Sequence, residues 1–278
     1  MTNIIRSILN IVNNKKKKTN YTIKKSNRVS DEGKKFEIYI KDSFAGSFKK
    51  KNKKKHWENV FSYLGSVNNP PDIMIKRGDA IEIKKIKSDN SDLHLNSSSP
   101  KSKLLAKDKR IKEECRNCEK WSEKDLIYII GTINNKETLT SINMIYGNCM
   151  FAENSYYENK EREIVEIIKK SELNLSETKE LGRINKIDPL GISSLRVRGM
   201  WIFQNPKKIF EYLDLPKQKK KFELICLMKL DKFESMPEND KKNLINSKID
   251  NLQVKDIKLK DPNNLENEID CKLIMYRD

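Results

Sequence analysis

The sequence is almost without histidine, with only His56 and His94 in 278 residues. That is too few for a mechanism run on imidazoles, and such residues more often pack or face solvent. No apolar run approaches the roughly 18 to 20 residues that a membrane helix needs. The opening MTNIIRSILNIVNN is too short and too polar for a secretory leader and has no small-residue cleavage site. Five cysteines are an odd count without disulfide-framework spacing, so a reduced, cytoplasmic protein is expected. Cys115 and Cys118 form one CxxC, which is half a zinc site. No second pair follows at finger spacing, and Cys149 could join only through the fold. No internal repeat is evident.

What the chain has is positive charge. Lysine and arginine number 57 against 40 acidic residues, a formal net charge of +17. Such an excess points to a polyanionic partner, because phosphate neutralisation drives sequence-independent nucleic-acid binding. A Lys-, Asn- and Ile-heavy composition is also what an AT-rich genome would produce. Hydrophobic residues still make up 36%, so the chain can build a core for one large or two small domains.

Ile4, Ile5, Ile8, Leu9 and Val12 recur at helical spacing and predict a short amphipathic helix, followed by the charge run KKKKTNYTIKK. Ser30 is a candidate N-cap for a helix through SDEGKKFEIYIKDSF, with Phe36, Tyr39, Ile40 and Phe44 as its apolar stripe. HWENVFSYL reads as a second short helix, ended by Gly65 and the Asn68–Pro71 breakers. DIMIK, AIEIKKI, DLIYIIGTI and LTSINMIYGNCMF read as strands, and SYYENKEREIVEIIKK as a helix with Ile164, Ile167 and Ile168 on one face. LRVRGMWIF and FELICLMKL are further strands around a helix at PKKIFEYL. The expected class is α/β, a mixed sheet flanked by helices. The expected division is an N-terminal helix and basic linker (1–29), a core (30–233) and a polar C-terminal extension (234–278).

The chemistry concentrates in PPDIMIKRGDAIEIKK, Pro70 to Lys85. Side chains alternate along a strand, so Glu82 and Lys84 share a face and Ile81 and Ile83 take the other. If DIMIK and AIEIK pair as a hairpin, with Met74 opposite Glu82 and Asp72 opposite Lys84, all three polar groups converge. Two carboxylates and an ammonium on one face are costly if buried unpaired. A divalent metal resolves that cost, and the hard oxygens of Asp72 and Glu82 suit magnesium. Lys84 could then orient or help deprotonate an attacking water and offset charge at phosphorus. The bland alternative is a surface hairpin whose charges face water.

Pro71-Asp72 followed by Glu82-Ile83-Lys84 resembles the PD-(D/E)xK nuclease signature, and implies a nuclease-like core of that type. Three longer blocks are more specific: SDNSDLHLNSSSPKSKLL, CRNCEKWSEKDLIYIIG and DPLGISSLRVRGMWIFQNP. In order and wording they resemble the NgoPII family of type II restriction endonucleases, from about residue 30 to about residue 215. The resemblance implies magnesium-dependent cutting of double-stranded DNA at a short G/C palindrome, typically GGCC, by Asp72, Glu82 and Lys84. A palindrome favours a homodimer with one site per strand, and a methyltransferase of matching specificity would be its functional partner.

Other residues take roles by analogy. Glu37, on the first core helix, is a candidate further carboxylate, or simply a solvated glutamate. Asn96, Ser97, Ser98 and Ser99 suit base edges or phosphate, and Lys101 and Lys103 suit phosphate, against a flexible polar loop. Arg196 and Arg198 would share a face, with guanine reading, phosphate clamping or a structural ion pair as their options. Trp121, Trp201, Tyr156 and Tyr157 fit packing better than base stacking. Two rival functions remain: a structure-selective repair or recombination nuclease of the same fold, and a non-catalytic basic DNA-binding protein.

Overall fold

The computed structural model describes residues 2–14, 29–65, 69–96, 98–135, 138–171, 175–178, 180–216 and 221–278. The basic run after the first helix lies outside them.

The N-terminal helix α1 (Ile4–Asn13) is capped by Asn3, whose side chain accepts from the Arg6 N–H at 3.1 Å. Its stripe Ile4, Ile5, Ile8 and Ile11 is wholly buried, which at about 1.5–3 kcal/mol per side chain makes it part of the core. It packs on α2 (Val29–Ala45). Ser30 falls inside α2 rather than capping it, and its side chain lies outside the described residues. Arg6 and Asn3 also reach Asp240 on α8 (Glu238–Ile245) at 2.9 and 2.7 Å.

The segment expected as one short helix splits into α3 (Lys53–Val60) and the strand β1 (Phe61–Leu64). β1 turns into an edge strand because it pairs antiparallel with β2 (Ile73–Ile75). Then follow β3 (Ala80–Ile86), β4 (Leu93–Asn96), β5 (Lys103–Leu105), α4 (Glu113–Asn117), β6 (Glu123–Ile133) and β7 (Leu139–Tyr146). After α5 (Asn154–Lys169), the expected single strand LRVRGMWIF divides at Arg198-Gly199. Its halves are β9 (Ser194–Val197), paired with β8 (Gly182–Asn185), and β10 (Met200–Phe203), paired with β4. PKKIFEYL gives α6 (Pro206–Ile209) and a 3-10 turn.

The chain from 223 on supplies β11 (Glu223–Lys229), α7 (Leu230–Glu234), α8, β12 (Leu252–Asp261) and β13 (Asn264–Arg277). The segment expected as a polar extension therefore builds the sheet. β13 pairs with β11 from Cys271 to Arg277 and with β12 along its length. Its polar first half projects at the edge, and Leu273, Ile274, Met275 and Tyr276 are buried.

Among the described residues the main sheet has nine strands, ordered β1-β2-β3-β6-β7-β11-β13-β12, with β5 on β6. It is mixed: β3–β6 and β7–β11 run parallel, the other neighbours antiparallel. One face packs Ile127 and Ile129 against α1 and α2, and the other packs Tyr128 and Ile130 under β4 and β10. On that second face Tyr128, Phe151 and Phe203 meet edge to face, with centroids 5.0 to 6.1 Å apart. Gly131 of β6 makes the seat for α2, since a Cβ there would lie 2.3 Å from the Phe36 ring.

Candidate active site

β2 and β3 form the expected hairpin, but in a shifted register. Ile73 faces Ile81 and Met74 faces Ala80, so the strands slip by two residues relative to the predicted pairing. A four-residue turn, with Arg77 at φ 53°, takes up the difference. A slip of two preserves side-chain parity, and Asp72, Glu82 and Lys84 still share a face.

Asp72 is fixed by backbone contacts. Its N–H donates to the Ile81 carbonyl at 3.0 Å, and its carbonyl accepts from Gly65 at 2.7 Å. Its carboxylate accepts from the Ile83 N–H at 2.6 Å. Gly65 is required at this approach: a Cβ there would stand 2.5 Å from the Pro71 oxygen and 2.7 Å from the Asp72 oxygen. The turn itself is held by Glu119, which accepts from the Arg77 N–H at 2.9 Å, and by Lys124, which donates to the Gly78 carbonyl at 2.6 Å.

Glu82 is buried, and one of its oxygens accepts from Lys84 Nζ at 2.6 Å. The other oxygen, Oε2, is buried with no hydrogen-bond partner. Burial, and next the Glu82 charge, push the Asp72 carboxyl up to about 8, although Lys84 and the Ile83 N–H pull the other way. Burial opposes the charge on Lys84, yet Glu82 and then Asp72 outweigh it and hold its pKa above the ordinary lysine value. Lys84 is thus a standing cation, which favours charge compensation over the proton abstraction also considered for it. Glu37 is close enough for its charge to raise Asp72 further, and it pairs with Lys41 one turn on.

An orphaned buried carboxylate oxygen next to a carboxyl that resists ionisation is an arrangement a hard cation relieves. The donor set therefore fits magnesium. Among the described residues no group of three or more His, Cys, Asp or Glu side chains is gathered for a metal. The CxxC does not gather one either. The Cys115 thiol is buried against the Met74 sulfur at 3.2 Å, and burial pushes its pKa up to about 12. Cys149 lies with Cys271 in the other core layer.

The expected DNA-contact residues separate. Asn96 ends β4 opposite Met200, joining two of the sequence blocks in one ribbon, and Ser97 lies outside the described residues. Ser98 is half-buried and Ser99 buried. Lys101 is buried in an ion pair with Asp108, which engages its ammonium within the protein. Lys103 pairs at the surface with Glu123 at 2.7 Å. Arg196 and Arg198 do share a face, where both hold Glu180, at 2.7 and 2.5 Å. The Arg196 hydrogen bonds above all bring the Glu180 carboxyl down to about 2. Trp201 packs edge-on to Tyr157 and donates to Glu161 at 3.0 Å.

A network behind the hairpin was missed from sequence. Buried Asp79 accepts from Tyr146 Oη at 2.7 Å and from Lys232 at 2.6 Å, and Lys232 also reaches Asp125 at 2.7 Å. It ties the end of the β2–β3 turn to α7. RGDA suggested only a turn, and nothing local marks Lys232 as its partner.

The profile of the family described as NgoPII restriction endonuclease matches residues 2–260. The chain is 42% identical over 277 residues to the type II restriction enzyme NgoPII of Neisseria gonorrhoeae, covering 99% of each. The likeness therefore takes in α1, which the sequence blocks did not reach. No solved structure matches. No helix among the described residues is long and apolar enough to cross a membrane. On the family profile and the full-length relative together, this chain belongs to the NgoPII restriction endonuclease family.

Proposed function

We propose that this protein is a type II restriction endonuclease that hydrolyses both strands of double-stranded DNA at a short G/C palindrome, GGCC-like, with magnesium. The observation that carries the reading is Asp72, Glu82 and Lys84 converging on one face, with Glu82 Oε2 buried and unsatisfied. The arrangement supports a PD-(D/E)xK-type site on the mixed sheet.

Asp72 and Glu82 would hold the magnesium ion, which when bound supplies positive charge to the phosphate oxygens and to a water. Lys84, protonated and braced by Glu82, offsets charge on the phosphoryl group as a water oxygen bonds to phosphorus and one bridging P–O bond breaks. The products are a phosphomonoester end and a hydroxyl end. Glu37 adds negative charge beside Asp72 and helps hold the cation. Arg196, Arg198, Lys103, Ser98, Asn96 and Ser97 are the candidates for contact with DNA, Arg196 and Arg198 by exchanging Glu180 for guanine or phosphate. The twofold symmetry of such a site favours a homodimer. Cytoplasmic DNA is the substrate, and a methyltransferase of the same specificity would protect the host's own.

The test is a digest of unmethylated phage DNA with and without magnesium, by wild type and Lys84→Ala. Discrete magnesium-dependent fragments, lost in the variant, are expected, and their ends give the site. Random or structure-dependent cutting would move the reading to a repair-type nuclease. DNA left intact at every metal and salt condition would leave only a basic DNA-binding protein.

A further inference from the structure

The face of the sheet that carries Lys84 continues across its neighbours. Lys84 pairs with Ile130, Ile130 with Asn143, and Asn143 with Ile225. At about 4.8 Å per strand, Asn143 lies roughly 10 Å from Lys84 along the sheet. There a cavity of about 710 Å³ opens between the sheet and the chain around α6, within the range of about 300–1,000 Å³ usual for small-ligand sites.

Its walls differ by direction. Ile225 and Leu227 make an apolar floor, and Phe210, almost fully buried, stands among the residues on the side of α6. The polar edge is Asp89, Thr132, Ser141 and Asn143. Thr132 donates to Asp89 at 2.6 Å and Ser141 donates to Thr132 at 2.8 Å, so those groups are engaged with one another. Asn143 is the exception: it is 3% exposed, and its Nδ2 is buried without a hydrogen-bond partner. A buried donor left open is costly, and it calls for an acceptor from outside. Lys87 and Lys207 stand at the rim; Lys207 is paired with Asp89 at 2.6 Å and Glu223 at 3.5 Å, so a phosphate would be drawn to Lys87.

Apolar surfaces for two faces, hydrogen-bonding groups along one edge and a lysine at the mouth describe a flat heteroaromatic ring carrying a phosphate. We propose that this cavity is a pocket for one nucleobase, with Asn143 as its hydrogen-bond donor, the base coming from a free nucleotide or from a nucleotide swung out of the DNA. The DNA source rests on the nuclease reading above, and the free-nucleotide source does not.

The experiment uses the full chain as wild type, Asn143→Leu, which removes the donor at similar volume, and Ile225→Phe, which fills the floor. The four deoxynucleoside 5′-monophosphates are titrated by calorimetry and ligand-observed NMR. In parallel, fluorescence is read from DNA duplexes carrying 2-aminopurine at each position of the cleavage site, in EDTA. Expected are binding of at least one nucleotide, about tenfold weaker in Asn143→Leu, and its loss in Ile225→Phe. A several-fold fluorescence rise at one position, removed by both variants, identifies DNA as the source. Nucleotide binding without that rise identifies the free nucleotide. If one variant fails to melt cooperatively, the other carries the comparison. No binding of any nucleotide together with no brightening at any position overturns the proposal. So does binding that both folded variants retain. A wild-type plasmid digest run alongside shows separately whether the nuclease reading holds.

Discussion

Asp72→Asn should stabilise the metal-free protein, and increasingly so as pH rises. The folded-state pKa of Asp72 is about 8 against an ordinary value of 3.8, so the folded chain binds a proton that the unfolded chain releases. The sign follows by linkage: this group's contribution is intact below about pH 4 and is lost progressively as pH climbs from about 4 to about 8. At 1.36 kcal/mol per pKa unit the full shift amounts to about 6 kcal/mol. Water reaching the half-buried carboxyl screens this to ~2 kcal/mol. For a chain of this size that is about 5 °C in Tm. Asparagine keeps an oxygen to accept from the Ile83 N–H but never ionises. Melting both proteins in EDTA at pH 5 and pH 8.5 should therefore give nearly equal values at pH 5 and the variant ahead by about 5 °C at pH 8.5. Magnesium at about 100 times its dissociation constant should add about 2.7 kcal/mol to wild type, and little to the variant. A variant less stable than wild type by the same margin at both pH values would refute the reasoning.

Gly65→Ala should cut activity at least tenfold while leaving DNA binding nearly unchanged, because a Cβ 2.5 Å from the Pro71 carbonyl oxygen and 2.7 Å from the Asp72 carbonyl oxygen must shift that backbone and the Asp72 side chain with it; steady-state cleavage against gel-shift affinity checks it. Lys232→Met should destabilise by about 3 kcal/mol at pH 8, since it leaves buried Asp79 unpaired. Urea unfolding should show the loss shrinking at pH 5, because burial, the largest influence on Asp79, already raises its pKa and eases its protonation, and Asp79→Asn should recover part of it. Glu180→Gln should leave the fold's Tm within about 1 °C, as expected of an exposed pair. It should tighten DNA binding with a steeper salt dependence if Arg196 and Arg198 are thereby released to phosphate.

The sequence by itself determined what depends on local period. Alternation along AIEIK decided that Glu82 and Lys84 share a face, and an even slip in the hairpin could not change that for Asp72. Helical spacing was enough for α1, α2 and α5, and the apolar runs were enough for β6, β7 and β11. Tertiary structure decided whatever depends on a distant partner. Phe61–Leu64 is a strand only because β2 lies beside it, and LRVRGMWIF breaks because its two halves pair with different strands. The polar 264–270 stretch reads as a tail until β12 pairs with it. Lys101 looks like any phosphate-binding lysine until Asp108 meets it in the interior. Side-chain parity is a property of one strand, carried wherever it goes. Ion pairing and burial belong to pairs of residues far apart in the chain, and only the folded molecule brings them together.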